Sequence, residues 1–223
     1  MEKSNIHEKI KLLTGNGMWH TQETEDLPSV HLSDGPHGLR KQESDSDALG
    51  LGRSVPATCF PTASALANSW DETLLSAVGR ALGEEAVAQG VGMVLGPGVN
   101  IKRSPLCGRN FEYFSEDPLL SGKLAAAMIR GIQSTGVSAC VKHFAANSQE
   151  LRRMATDSVM DERTLREIYL PAFETAIKEG GVRSLMTAYN RLNGTYCNEN
   201  EHLLRDILRG EWGFDGLVVS DWG

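Results

Sequence analysis

The sequence predicts an α/β protein built as an incomplete (β/α)8 barrel of the TIM type. Apolar, strand-like runs alternate with periodic, helix-like segments along most of the 223 residues, which is typical of a parallel sheet with right-handed crossovers. About five to six strands are expected, roughly two thirds of a barrel, because eight such units take about 250 residues. A doubly wound open sheet is the competing architecture. The first strand is not followed by a GxGxxG motif, and polar residues follow each strand, so the barrel is favoured.

Each predicted strand is a short apolar run that ends near glycine or a polar residue. The runs are 30–34, a weaker one at 60–63, 91–95, 137–144, 182–189 and 217–219. Helices are predicted where apolar residues recur every three or four positions. These segments are 6–13, 69–90, 120–136, 165–180 and 203–213. The polar residues 41–56 predict a mobile loop between the first strand and the first long helix.

Local signals mark where these helices begin, bend and end. Ser69 and Glu72 have the spacing of a capping box, and Glu116 with Asp117 precedes the third helix as a candidate cap. Pro171 is expected to kink the fourth helix. The last four helices each end at a glycine suited to the left-handed cap.

Composition and charge narrow the function. Charged residues make up 23% of the chain and the net charge is −7, which argues against nucleic acid or an anionic membrane as a partner. The first residues lack the apolar region of a signal peptide, so a cytoplasmic location is expected. The four cysteines are scattered and no histidines have zinc-ligand spacing. We therefore expect reduced thiols and no metal or other cofactor.

Five predicted strand ends carry side chains that suit carbohydrate chemistry. The ends hold Asp34, then Arg103, Arg109 and Glu112, then Lys142 and His143, then Met186 and Tyr189, and finally Asp221 and Trp222. In a parallel barrel such ends meet on one face. Hydrogen-bonding side chains and an apolar indole face together suit a neutral, hydroxyl-rich pyranose ring. Asp221 would then lie against the anomeric carbon.

These strand ends lie within five stretches that resemble a known family. The stretches are SDGPHGLR (33–40), LGPGVNIKRSPLCGRNFEYFSEDP (95–118), VKHFAANSQE (141–150), LMTAYNRLNG (185–194) and GFDGLVVSDWG (213–223). They resemble the N-terminal barrel domain of the family-3 glycoside hydrolases, the β-glucosidase and β-xylosidase type. The resemblance covers essentially the whole chain in the family's order.

The resemblance implies a role for each matched residue. Asp221 matches the catalytic nucleophile, and Tyr189 matches a tyrosine beside it. Four residues match side chains that hold sugar hydroxyls in the −1 subsite: Asp34, Arg109, Lys142 and His143. Met186 and Trp222 match apolar walls of that subsite, although plain core packing is the alternative for Met186. Arg103 and Glu112 are candidates for supporting these groups, although a buried Arg–Glu pair between them is the favoured interpretation.

The stretch after Lys142-His143 separates two branches of the family. The branch that acts on N-acetylglucosaminides has a histidine-containing loop there, which serves as acid/base. This chain instead has FAANSQE, as the glucosidase type does, so His143 is expected to bind the substrate.

The implied activity is that of a retaining, exo-acting β-glycosidase, with β-glucosidase favoured. It would hydrolyse terminal non-reducing β-D-glucosyl residues of β-glucosides or related oligosaccharides through a covalent intermediate on Asp221. A second carboxyl group about 5–5.5 Å away is required. In the family it lies on a C-terminal α/β sandwich domain, which we expect outside residues 1–223. Glu112 and Glu150 are weaker stand-ins, and the chain alone is expected to be nearly inactive.

Two other functions stay open from the sequence. A barrel lysine such as Lys142 forms a Schiff base in some lyases, which requires apolar surroundings that lower its pKa. The chain is also consistent with a non-catalytic sugar-binding remnant or with one half of a split enzyme.

Overall fold

Five parallel strands form the centre of the fold, and each pairs with the strand that precedes it in the chain. The computed structural model describes residues 6–44 and 52–222. The strands are β1 (Leu32–Ser33), β2 (Met93–Val94), β3 (Ser138–Phe144), β4 (Ser184–Thr187) and β5 (Leu217–Val219). A doubly wound sheet reverses its strand order at a switch point. This strictly sequential order therefore confirms the incomplete barrel.

Helices connect the strands and cover the outer face of the sheet. They are α1 (Ile6–Lys11), α2 (Ala63–Ala67), α3 (Glu72–Ala88), α4 (Pro118–Gln133), α5 (Glu162–Thr164) and α6 (Pro171–Lys178), with a 3-10 turn at Asn110–Glu112 and π-helical segments at Leu165–Tyr169 and His202–Glu211. The predicted kink at Pro171 is a division of the helix. Pro171 begins α6, since proline has no N–H to donate to the preceding turn.

Two small sheets were not predicted from the sequence. Gly15–Asn16 pairs antiparallel with His20–Thr21, and a three-stranded sheet joins Asp157–Ser158, Arg191–Leu192 and Thr195–Tyr196. These strands are only two residues long, which is too short to produce a periodic signal.

The first four strands bury both of their faces, whereas β5 is partly exposed. Val94, Val141 and Leu185 belong to the large core beneath the helices. Their neighbours Met93 and Cys140 instead contribute to a smaller cluster on the inner face, with Leu32, Leu95 and Met186. This alternation follows from the two-residue period of a strand. The polar residues of the candidate site lie at the ends of the strands.

Two local predictions at the start of the helical layer are wrong. Residues 60–63 do not form a strand, because the Thr62 hydroxyl accepts from the Ala65 N–H and caps α2. The cap of α3 is Asp71, whose carboxylate accepts from Thr73 and Leu74. Ser69 instead donates to the Leu66 carbonyl at 2.6 Å, so the expected Ser69–Glu72 capping box is absent.

Other local predictions are confirmed or refined. Asp117 caps α4 by accepting from Leu120 at 2.8 Å. The left-handed glycine that follows α6 is Gly181, with φ +61°, and not the expected Gly180. Within the expected loop 41–56, residues 45–51 lie outside the described residues. The flanks of that loop pair, with Val55 N–H donating to the Lys41 carbonyl at 2.8 Å.

Three absences concern only the described part of the chain. Its four cysteines are free, and all but Cys59 are buried. Across residues 6–44 and 52–222, no helix combines the length and the apolar character needed to cross a bilayer. The same residues contain no group of three or more His, Cys, Asp or Glu side chains arranged to hold a metal ion.

Gly131 allows the backbones of α3 and α4 to approach closely. A Cβ at this position would lie 2.2 Å from the Ser76 carbonyl oxygen. We expect Gly131→Ala to lower the free energy of unfolding by about 1–3 kcal/mol, because the helices must move apart. Urea denaturation measures this loss. Gly108→Ala is the matched control, since a Cβ there meets nothing within 4 Å; an equal loss in both variants would contradict the packing argument.

Candidate active site

The carboxyl ends of β1 and β3 bring Asp34 and Lys142 into a salt bridge of 2.8 Å. Glu112, from the 3-10 turn after β2, lies 3.3 Å from the same ammonium. The side chain of Lys142 is only 4% exposed, so its charge is stabilised mainly by these two carboxylates. Three strand ends that are far apart in sequence thus meet in one ionic cluster, as the barrel prediction required.

A tight turn after β1 positions Asp34. Arg40 N–H donates to the Asp34 carbonyl at 2.8 Å, and Gly38 N–H donates to the Gly35 carbonyl at 3.3 Å. Gly35 has φ +113°, and a Cβ there would lie 2.0 Å from the Gly38 carbonyl oxygen. Only glycine fits this position, so the Gly-Pro-His-Gly sequence fixes the carboxylate of Asp34 at the sheet end.

Glu112 and Arg109 form a two-point ion pair. Arg109 donates from Nε to Oε2 and from Nη2 to Oε1 of Glu112, both at 2.8 Å. The expected Arg103–Glu112 pair is therefore wrong. Arg103 is exposed, and Glu112 is paired with Arg109 and Lys142 instead.

The cluster holds its members ionised. Burial alone would raise the pKa of Asp34 and of Glu112, but Lys142 and Arg109 together outweigh burial and lower the pKa of each carboxyl group below its ordinary value. Burial alone would lower the pKa of Lys142, but Asp34 and Glu112 raise it. Lys142 therefore stays protonated, which opposes the lyase alternative because a Schiff base requires a neutral amine. Glu112 is equally unsuited to act as an acid.

His143 is a neutral ring with a defined tautomer. Burial, followed by the charges of Arg109 and Lys142, lowers its pKa well below the ordinary value. Arg109 Nη2 lies 3.0 Å from Nε2 of His143, and the Tyr113 hydroxyl lies 3.2 Å from Nδ1. A guanidinium has no acceptor, so Nε2 accepts from Arg109. The proton then lies on Nδ1 and is donated to Tyr113.

Asp221 follows β5 and points at this ring. Its Oδ2 lies 3.7 Å from Nε2 of His143, which is too long for a hydrogen bond. Within the described part of the chain, this buried oxygen has no hydrogen-bond partner. Burial raises the pKa of Asp221 to about 6, against the opposing charges of Lys142 and Arg109. Its oxygen lone pairs are therefore available to an electrophile, as a nucleophile requires.

Trp222 is held from two sides. Its indole Nε1 donates to the Met18 carbonyl at 2.7 Å, and its ring packs at 5.7 Å, centroid to centroid, on Trp19. The Tyr189 hydroxyl donates to the Trp222 backbone carbonyl. These contacts fix Trp222, the residue that directly follows Asp221.

The site residues inferred from the sequence differ in exposure. Met186 is only 2% exposed and lies in the inner cluster, against which Trp222 packs. Its role as an apolar wall of a subsite stays a prediction. The hydroxyl-binding roles of Asp34, Arg109, Lys142 and His143 stay predictions as well, although the structure brings all four together.

Two open spaces adjoin the candidate site, one at Asp221 and one at the ionic cluster. A cleft of about 260 Å³ lies beside Asp221 and is lined by Met154, Thr187, Ala188, Tyr189, Tyr196, Asn198, Glu199 and Ser220. A second cavity, of about 400 Å³, is bounded by Asp34 and Glu112 and by the turn that follows β1. Reactive side chains therefore face open space at the carboxyl end of the sheet.

Two buried side chains that position His143 were missed from the sequence. Asn100 makes reciprocal hydrogen bonds with its backbone, as Nδ2 donates to the His143 carbonyl and Oδ1 accepts from its N–H, both at 2.8 Å. Tyr113 accepts from the ring. Both residues lie within the stretch 95–118, so that motif was the available signal.

The family model described as "Glycosyl hydrolase family 3 N terminal domain" matches residues 38–223. The curated relatives include thermostable beta-glucosidase B of Acetivibrio thermocellus, 58% identical over all of this chain and 30% of that protein. An exo-alpha-(1->6)-L-arabinopyranosidase of Bifidobacterium longum is 50% identical over 98% of this chain and 29% of its own length.

The fold matches that of solved family members. Beta-glucosidase 3B from Thermotoga neapolitana, in complex with alpha-D-glucose, superposes with a TM-score of 0.91 at 45% identity. The match covers 99% of this chain and 33% of that one. The chain thus spans about a third of the length of these relatives. Because the family model covers most of the sequence and the fold agrees, the chain belongs to glycosyl hydrolase family 3, in the region of its N-terminal domain.

Proposed function

We propose that this chain forms the nucleophile-bearing part of a retaining, exo-acting β-glycosidase. Terminal non-reducing β-D-glucosyl residues are its proposed substrate. One observation carries the proposal: three strand ends meet in the ionic cluster, and Asp221, after β5, lies beside it with an Oδ2 that has no hydrogen-bond partner in the described chain.

Asp221 is the proposed nucleophile. An oxygen of its carboxylate attacks the anomeric carbon and forms a glycosyl ester, while the glycosidic oxygen leaves with a proton from an acid. Water, deprotonated by the same group, then cleaves the ester and restores the carboxylate. Because Nε2 of His143 accepts from Arg109, it has no proton to give to Asp221. The ring therefore leaves Oδ2 of the nucleophile unprotonated and without a hydrogen bond.

The cluster has spare hydrogen-bonding capacity for a sugar. The Lys142 ammonium has three N–H groups, and its two ion pairs occupy two of them. Arg109 uses Nε and Nη2 within the described chain, which leaves Nη1 to donate elsewhere. Asp34 uses Oδ1 for Lys142, so Oδ2 can accept from a hydroxyl. Fixed donors and acceptors of this kind orient a pyranose ring without reorganisation.

The acid/base group is proposed to come from outside residues 1–223, on a C-terminal α/β sandwich domain of the parent enzyme. Two carboxylates inside the chain are poor candidates. Glu112 is bound by Arg109 and Lys142, and Glu150 is bound by Arg153 at 2.8 Å and by Asn147 at 3.2 Å. The greater length of the relatives supports this assignment. Since general acid catalysis contributes about 10²–10⁴-fold, the chain alone should be nearly inactive on unactivated glucosides.

Covalent trapping tests the proposal. We expect 2,4-dinitrophenyl 2-deoxy-2-fluoro-β-D-glucopyranoside to add one fluoroglucosyl group, mapped to Asp221 by peptide mass spectrometry. The activated leaving group needs little acid assistance, so the reagent isolates the nucleophile. The α-anomer is the matched control and should add nothing. The assay is run on this chain and on a longer form that carries the C-terminal domain. A label on a residue other than Asp221 would overturn the assignment of Asp221. The absence of a label on both forms would overturn it as well.

A parallel reagent tests the sugar. One relative is named an arabinopyranosidase, and α-L-arabinopyranosides also carry an equatorial leaving group. We expect the fluoroglucoside to react faster than the matching α-L-arabinopyranoside. The opposite order, with the label still on Asp221, would reassign the sugar while keeping the nucleophile.

A further inference from the structure

A second ion pair lies behind Tyr189, outside the group of residues proposed to bind the sugar. Arg153 Nη1 lies 2.8 Å from Oε2 of Glu150, and Asn147 Nδ2 donates to Oε1 of Glu150 at 3.2 Å. Asn147 is buried, so Glu150 is anchored to the loop that follows β3. The anchored carboxylate in turn fixes one edge of the Arg153 guanidinium.

The same guanidinium covers the ring of Tyr189. Arg153 Cζ lies 4.8 Å from the centroid of the Tyr189 ring, within the range of a cation–π contact. A planar guanidinium held by a carboxylate restricts where the ring can lie. The position of Tyr189 is therefore set by the β3 loop as well as by its own strand, β4.

Tyr189 passes this constraint on to the nucleophile segment. Its hydroxyl donates to the Trp222 carbonyl, which is one residue beyond Asp221. A displaced tyrosine ring would release this carbonyl and allow the backbone at Trp222, the residue bonded to Asp221, to move. The contacts run without a gap from Glu150 through Arg153 and Tyr189 to the segment that carries the carboxylate.

We propose that Arg153 is a positioning residue, which stacks on Tyr189 and thereby fixes the orientation of the Asp221 carboxylate. This inference deepens the proposed function, because it assumes that Asp221 is the nucleophile. The same guanidinium contributes positive charge near Asp221, together with Lys142 and Arg109. The other titratable groups near Asp221 in the described chain are the neutral His143 ring, the Tyr189 phenol, the buried Cys140 thiol and Glu199, which lines the same cleft.

The first test compares the rates at which the fluoroglucoside labels Asp221 in four variants. The variants are made in whichever form of the protein the reagent labels. Arg153→Met removes both the stacking and the charge, and we expect labelling of Asp221 to slow about 10- to 100-fold, as for a displaced reacting group. The pH of half-maximal labelling should also rise, since one positive charge is lost.

Arg153→Lys should keep the wild-type pH midpoint but still label slowly, because an ammonium does not stack as a planar group. Glu150→Gln should give an intermediate rate. Arg152→Met is the matched control, as this neighbouring arginine is exposed.

A second readout does not depend on trapping. The chain has four tryptophans, so ¹⁵N-tryptophan labelling gives four backbone amide signals and four indole signals. In Arg153→Met we expect the Trp222 backbone amide to shift or broaden. The Trp222 indole signal should stay, because Met18 holds it independently. Arg152→Met should change neither.

The two readouts separate the possible failures. A wild-type protein that cannot be trapped would overturn the proposed function, while a moved Trp222 amide in Arg153→Met would still support the positioning role. If Arg153→Met matches Arg152→Met in the Trp222 amide signal, or in labelling rate and pH midpoint, the positioning role of Arg153 is wrong.

Discussion

Replacing Asp221 with asparagine is expected to abolish covalent trapping and to make the folded chain more stable. The amide cannot form a glycosyl ester, so the labelling rate should fall on the order of 10⁴-fold or more, as for loss of other enzyme nucleophiles. Intact-protein mass spectrometry measures this loss. Asp215→Asn is the control, since Asp215 is exposed and lies six positions earlier; it should label as the wild type does.

The stability gain follows from the raised pKa of Asp221. Its ordinary value is 3.8 and burial raises it to about 6 in the folded chain. Above pH 6 the folded state therefore holds a carboxylate that is better solvated in the unfolded chain. This costs about 2–3 kcal/mol. Asp221→Asn should recover most of that free energy at pH 7.5.

The sign of the effect makes it testable by pH. As the pH falls from about 6 towards 4, the folded wild type takes up a proton at Asp221 before the unfolded chain does. The advantage of Asp221→Asn should shrink over this range and disappear below pH 3.8. Urea denaturation of Asp221→Asn and Asp215→Asn at pH 7.5 and 4.5 measures it. A constant gain across both pH values would show that the pKa of Asp221 is not raised.

Lys142→Met is expected to be the most destabilising single change in the ionic cluster. It removes a buried charge and leaves Glu112, which is only 8% exposed, with one partner fewer. Breaking a buried ion pair in this way costs about 3–5 kcal/mol. The Asp34 side chain is 38% exposed, so water compensates part of its loss and the lower end of this range is expected. Trapping should also weaken, since a proposed donor to the sugar is lost.

The matched control for Lys142→Met is Lys123→Met. Lys123 also forms an ion pair, 2.6 Å from Glu179, but its side chain is 39% exposed. An exposed pair contributes about 0–1 kcal/mol. Equal losses of unfolding free energy in the two variants would contradict the role assigned to the buried cluster.

The pH dependence of the Lys142→Met effect has a defined sign. Asp34 and Glu112 have pKa values lowered from 3.8 and 4.5, so their stabilisation is present above those values and is lost as the pH falls through the lower folded ones. Lys142 has a pKa raised from 10.5, so its contribution is lost only at still higher pH. The difference from wild type should be largest between about pH 5 and 10 and should shrink below pH 4.

The strand and helix order could be predicted because each signal was local and repeated. Apolar runs that end near glycine or a polar residue located all five parallel strands. The short caps were harder, since Thr62, Ser69 and Asp71 have interchangeable cap propensities. Only the three-dimensional structure shows which of them accepts a hydrogen bond from an otherwise unpaired backbone N–H at the start of a helix. The two-residue strands of the small sheets left no periodic pattern to detect.

The candidate site could be predicted only as far as residue types and motifs allow. Asp34, Lys142 and Asp221 were identified because each lies at or near the end of a predicted strand. The pairing of Glu112 with Arg109, and not with Arg103, depends on the turn at 110–112, which the sequence does not display. Arg153 was missed because its partner Tyr189 is 36 positions away and belongs to another strand. Contacts of this kind depend on the curvature of the sheet.

The hydrogen bond between Trp222 and Met18 joins residues that are 204 positions apart. Contacts of such high sequence separation carry the full entropy of closing the intervening chain, so they form after local helices and neighbouring strands. The segment that bears Asp221 should therefore be ordered late in folding, once all five strands are in place. It should also open first under mild destabilisation, before the helices on the outer face. Loss of trapping is then an earlier sign of unfolding than loss of helical structure.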